Sequence, residues 1–126
     1  MRAFNLLVFD DFISGTGVRY GMADLAEQIG RADGFTVGAI VSSVGAGATG
    51  LTVQAEHCCD GRSWIATPAP EISASGILDD RVYFGSSSPW NFALMASVRF
   101  KINLSGATPS CRLKLYVTGR TTGGAS

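Results

Sequence analysis

Residues 55–64 read AEHCCDGRSW and hold the chain's only histidine, two of its three cysteines, an aspartate and one of its two tryptophans. Side chains of these types ligate metals or perform nucleophilic catalysis. A zinc site needs four ligands converging tetrahedrally, and no second Cys/His pair follows at zinc spacing. On a strand, His57 and Cys58 point to opposite faces, so a cysteine nucleophile and a histidine base would not meet. The expectation is therefore a hairpin. Asp60-Gly61 favours a type I′ turn, in which both central residues take φ > 0. A two-residue loop sets Cys59 opposite Arg62, His57 opposite Trp64 and Ala55 opposite Ala66, on the face of Leu51 and Val53.

Other apparent motifs fare no better. GAGATG (45–50) matches G-x-G-x-x-G, but that motif aims helix N-terminal amides at a pyrophosphate, and here the glycines lead into the alternating run LTVQAEHC. A flexible hairpin loop is expected instead. The chain contains no G-x-S-x-G, P-loop or H-E-x-x-H. Asp10-Asp11 and Asp79-Asp80 are paired carboxylates, yet acid–base work needs two carboxyls held across a cleft in different environments. Turn or capping aspartates are expected, and calcium ligation would require the fold to bring all four together. Trp90, Tyr83, Phe84 and Phe92 raise a second kind of chemistry, rings stacking on sugar faces. The sequence thus offers no catalytic residue, no metal ligand set and no cofactor site.

The elements that must carry these residues read as strands. FTVGAIVSSV (35–44), LTVQAEHC (51–58), RSWIAT (62–67), RVYFG (81–85), LMASVRFKINL (94–104) and CRLKLYVTG (111–119) are short, rich in β-branched or aromatic residues, and separated by Gly, Pro and Ser. In the fifth, Val98, Phe100, Ile102 and Leu104 alternate with Arg99, Lys101 and Asn103, a period of two. Before residue 35, FNLLVF reads as an edge strand, ISGTG as a loop, and MADLAEQIG as a further strand or one helical turn, so residues 1–34 are strand or an N-terminal arm. Sixteen glycines and no long helical pattern point to an all-β antiparallel sandwich or jelly roll of about seven to nine strands. One domain over 1–120 with a flexible tail, 121–126, is expected.

Hydrophobic residues make up 46% of the chain and charged ones 16%, so the surface must be poor in charge or partly covered, a hint of assembly. No stretch is apolar enough for a membrane helix, and no secretory signal is visible. Without one, the glycosylation match at Asn103-Leu104-Ser105 reads as chance. Three cysteines are expected as free thiols, with Cys111 facing the core and Cys58 facing out.

Zero net charge hides a polar chain. Residues 1–80 carry ten acids against four arginines, a net of −6, whereas residues 81–126 carry six bases and no acid, +6. If 94–104 and 111–118 form a hairpin with Leu104 opposite Cys111, Asn103 meets Arg112, Lys101 meets Lys114 and Arg99 meets Tyr116. Arg99, Lys101, Arg112 and Lys114 would then form one basic ribbon, a candidate docking surface for an acidic face of another subunit or shell. The alternative is that acidic N-terminal strands of the same chain lie alongside and neutralise it. Two lysines with few interleaved aromatics make a poor phosphate track, which argues against nucleic acid.

LAEQIGRADGFTVGAIVSSVGAGATGLTVQAEHCCDGRSW followed by SVRFKINLSGATPSCRLKLYVTGR resembles small β-sandwich structural proteins of tailed bacteriophage particles, over roughly residues 25–120. The matching features are Leu51 to Gln54 after a glycine-rich loop, Asp60-Gly61, Trp64, Arg99-Phe100 and the closing Leu113 to Val117. Cys58-Cys59 departs from the pattern, where a polar pair is usual. The resemblance implies a non-enzymatic virion component, made in the bacterial host cytoplasm, that decorates or cements a capsid or sits in the tail. Its partners would be copies of itself or a capsid or tail protein. The alternative function is a carbohydrate-binding β-sandwich module.

Overall fold

The computed structural model describes residues 2–22, 34–67, 71–84 and 97–121. They form nine strands: β1 (Arg2–Ser14), β2 (Gly17–Met22), β3 (Gly34–Ser42), β4 (Ala48–Cys58), β5 (Ile65–Ala66), β6 (Ile72–Ser75), β7 (Arg81–Phe84), β8 (Ser97–Gly106) and β9 (Ser110–Thr121). Every pairing is antiparallel. One sheet has the order β1-β9-β3-β7; the other runs β2-β8-β4-β5, with β6 also on β4. The all-β sandwich expected from the strand pattern is the observed fold. MADLAEQIG beyond Met22, Trp90, Phe92 and residues 122–126 lie outside the described residues.

The alternating runs form the core as their period requires. Val98, Phe100, Ile102 and Leu104 of β8 are fully buried, as are Cys111, Leu113, Leu115 and Val117 of β9. Leu51, Val53 and Ala55 of β4 and Val37, Ala39 and Val41 of β3 complete the facing layers. Burying each large apolar side chain stabilises the fold by roughly 1.5–3 kcal/mol before conformational entropy is set against it.

The hairpin expected between 94–104 and 111–118 does not form. β8 pairs with β2 and β4, and β9 with β1 and β3, so 106–110 crosses from one sheet to the other. The two apolar stripes thereby face each other across the core. The crossing is fixed by Gly106 at φ +133° and Thr108 at φ 48°, by buried Pro109, and by the turn at 45–48. There Gly45 N–H donates to the Ser110 carbonyl (2.8 Å) and Ala107 N–H to the Gly47 carbonyl (3.1 Å). The glycines of GAGATG serve close approach between backbones: a Cβ at Gly47 would overlap the Ala107 carbonyl oxygen.

β1 and β2 have less transparent patterns. In β1 a bulge between Leu7 and Phe9 switches phase. Leu6, Phe9 and Ile13 pack on the core, while Leu7 and Phe12 are exposed. β2 turns Arg19 and Gly21 inward, opposite Ile102 and Phe100, and Val18 and Tyr20 outward. Arg19 folds back to donate to the Ser14 carbonyl and, at 3.0 Å, to the Gly15 carbonyl, closing the β1–β2 turn. An inward charge on an edge strand opposes continued pairing.

Candidate functional site

His57 and Trp64 are not cross-strand partners. His57 lies opposite Ile65, and Glu56 opposite Ala66, one residue out of the expected register. The difference lies in the loop. Asp60 does not sit in a two-residue turn but accepts hydrogen bonds from the Arg62 and Ser63 backbone N–H groups (2.8 and 2.7 Å) and from the Ser63 hydroxyl (2.8 Å). This Asx-type arrangement stretches the connection to 59–64, and a slip of one residue flips the faces. His57 is buried with the core phase, whereas Trp64 reaches the outer face. Cys58, expected to face out, is fully buried where β4 gives way to the loop. All three cysteines are unbridged, with only Cys59 exposed. Burial pushes the Cys111 thiol up, against the pull of nearby Arg19. Among the described residues no three His, Cys, Asp or Glu converge in a metal-binding group.

The hydrogen bonds from the Ser63 and Arg62 backbones, then the Ser63 hydroxyl, hold the Asp60 carboxyl at about 2, down from 3.8. A depressed carboxyl stabilises the loop fully above its ordinary value and ceases to do so as pH falls through the folded value. The Arg62 and Ser63 amide resonances, followed from about pH 5 to about pH 1.5, should therefore titrate together near 2. A midpoint near 4 would mean that these bonds are not held in solution.

The four candidate docking residues are split between the two outer faces. Arg99 and Lys101 emerge from β8, Arg112 and Lys114 from β9, with the core between them. Each pair meets acid within the chain. Asp10 lies opposite Lys114 and bonds Arg112 at 2.8 Å, and Glu56 bonds Arg99 at 2.9 Å. The internal-neutralisation alternative describes Arg99 and Arg112, and one basic ribbon does not form. Arg99 is further held by two rings, its guanidinium carbon 3.9 Å from the centre of Tyr20 and 4.3 Å from that of Trp64. Tyr20 comes from β2 on one flank and Trp64 from beyond β4 on the other, so this stack pins the 59–64 loop to the sheet. Tyr83, singled out for sugar stacking, instead packs against the core and accepts a hydrogen bond from Leu78 N–H at 3.3 Å. Of the paired aspartates expected in turns or caps, Asp11 accepts from the adjacent Phe12 N–H, whereas Asp79 accepts from the Val44 N–H 35 residues away and ties two loops together.

The other outer face carries a groove of about 400 Å³ that crosses β1, β9, β3 and β7. Its polar wall is the cross-strand row Asn5, Thr118 and Thr36. Its apolar wall is Ile40 and Val82, adjacent in the register of β3 and β7. Between them Gly38 leaves space beside its partner Tyr116. None of these residues was visible as a site in the sequence, because neutral Thr, Asn and Gly on strands read as ordinary solvent-facing positions. The outward phase of Tyr116 was the one signal the sequence offered.

No protein-family model matches the sequence, and no curated protein matches it. The fold is similar to a solved structure of the Clostridium thermocellum N-terminal endo-1,4-beta-D-xylanase 10B, its CBM22-1-GH10 modules complexed with xylohexaose. The TM-score is 0.54 at 8% identity, over 95% of this chain and 26% of that one. The likeness is one of fold, and the chain spans about a quarter of that protein's length.

Proposed function

We propose that this chain is a non-enzymatic, multi-copy structural component of a phage-like virion, a capsid decoration or cement protein acting through contacts between copies. The observation that carries the reading is the flank formed by β1 and β2. These consecutive strands are the edges of their respective sheets, each paired on one side only among the described strands. Leu7 (50%) and Phe12 (53%) of β1 are exposed on the outer face of one sheet, and Val18 (46%) and Tyr20 (47%) of β2 on the outer face of the other. Apolar side chains on a long open edge favour association unless another surface covers them. With no single basic ribbon to dock, contact through the exposed apolar residues of β1, Leu7 and Phe12 on one face of one sheet, replaces it as the mechanism.

The test is sedimentation equilibrium from micromolar to sub-millimolar concentration. The wild-type chain should associate reversibly, with little loss at high salt, since apolar contacts are not screened. Leu7→Glu with Phe12→Glu should weaken association by about tenfold or more while leaving the melting temperature nearly unchanged. A strict monomer at every concentration would reject the reading, and copies of the chain on native particles, seen by electron microscopy, would support its virion part.

A second reading, a carbohydrate-binding module, is favoured by the uncharged groove on the β1-β9-β3-β7 face. The xylohexaose-bound neighbour is in keeping with it at the level of fold.

A further inference from the structure

We infer that the groove across β1, β9, β3 and β7 binds an extended neutral saccharide, an inference that rests on the second reading above and assigns it to one place. The hydrogen-bonding wall is already arranged. Thr118 donates its hydroxyl hydrogen to Asn5 Oδ1 at 3.0 Å, which turns the Asn5 amide N–H donors away from that bond. Thr36 donates its hydroxyl hydrogen to the Thr118 carbonyl at 3.4 Å. Both hydroxyl oxygens therefore keep acceptor lone pairs, and one row offers donors and acceptors in alternation. Vicinal sugar hydroxyls, each donor and acceptor at once, match such a row.

The opposite wall is apolar, Ile40 and Val82, and Tyr116 stands beside Gly38 between the two. A pyranose presents the same division, a hydroxyl-bearing edge and a C–H face that packs on aromatic or aliphatic surface. No lining residue is charged, and the cation beside it, Lys114, in register with Ile40, has Asp10 opposite on its other side, so a neutral ligand suits the groove better than a phosphate, a uronate or an acidic peptide. Its place also selects against peptides. It lies on the face of the sheet over four strands, whereas a peptide gains its main-chain ladder by running alongside an edge. The volume lies within the range of ligand clefts.

The experiment is amide chemical-shift mapping of the full chain with xylohexaose, cellohexaose, mannohexaose and maltohexaose, and with hexagalacturonic acid as the charged comparison. At least one neutral hexamer should give saturable shifts at Gly38, Tyr116, Thr118 and the Asn5 side-chain amide, and hexagalacturonic acid none. Asn5→Ala and Tyr116→Ala should each weaken binding roughly tenfold at unchanged melting temperature, as loss of well-placed hydrogen bonds or ring contact requires. Shifts centred on Tyr20, Trp64 and Arg99 would overturn the groove assignment and leave the carbohydrate reading standing. No shift with any neutral hexamer at millimolar concentration would overturn both. Groove shifts that depend on protein concentration without sugar would overturn it in favour of a second copy as the occupant.

Discussion

Gly106→Ala is expected to destabilise the protein by roughly 3 kcal/mol or more, the sum of a backbone term and an overlap term. Gly106 stands at φ +133°, where side chains are rarely accommodated, and a Cβ there would overlap the Gly47 carbonyl oxygen and come within 3.0 Å of Thr49 N. That carbonyl is the acceptor for Ala107 N–H, so moving it aside also strains the bond that holds the 45–48 turn against the crossing between sheets. The comparison that isolates the overlap is Gly61→Ala. Gly61 has φ +78°, and a Cβ there would meet nothing within 4 Å, leaving only the left-handed penalty of roughly 1–2 kcal/mol. Denaturant midpoints of the two variants should differ accordingly, with a fall in melting temperature on the order of 10 °C for Gly106→Ala. Equal losses in the two variants would show that the backbones can part at no cost, and that the crossing is not anchored there.

The second large effect is expected at Phe100, the bulkiest fully buried side chain among the described residues. Its neighbours in register are the small residues Gly21 on β2 and Ala55 on β4, and the space over Gly21 is taken by the Phe9 ring, 3.1 Å from where a Cβ would stand. Phe100→Ala removes the ring from a space that neither neighbour can fill, at a cost of about 3–5 kcal/mol. Phe100→Leu keeps most of the volume and should cost about 1.5 kcal/mol or less. Phe12→Ala provides the contrast, because Phe12 is exposed and its loss should change stability by about 0.5 kcal/mol. Urea unfolding of the three variants with a common m-value checks the ordering. A small effect at Phe100 would mean that the two sheets close over the gap.

The contrast between the two phenylalanines shows how far the sequence could be read. Phe100 sits in a strict alternation, so its burial was legible. Phe12 belongs to β1, where the bulge between Leu7 and Phe9 interrupts the period, so no single phase describes the strand. β2 was hidden for a different reason. Its core positions are Arg19 and Gly21 and its apolar residues face out, which inverts the pattern that identifies a strand. β6 (Ile72–Ser75) is too short, with Ile72 and Ala74 alone buried, to rise above the surrounding loop residues.

What the sequence determined by itself was local: the strand class and the inward phases of β4, β8 and β9. Period-two alternation is a property of one chain segment and needs no knowledge of its neighbours. Which strands pair was decided only by the tertiary structure. Facing β8 across the core and pairing β8 in a hairpin would bury the same phase of β9, so the pattern could not separate them. The 106–110 crossing and its glycine contacts with 45–48 settled it. That choice sent Lys101 and Lys114 to opposite faces and brought Asp10 beside Arg112. The Asp60 loop likewise settled the Trp64 register through hydrogen bonds at its own tip. The groove exists only as a juxtaposition of four strands, from Asn5 to Thr118 across more than a hundred residues of chain, because a binding surface on a sheet is made by register rather than by any one segment.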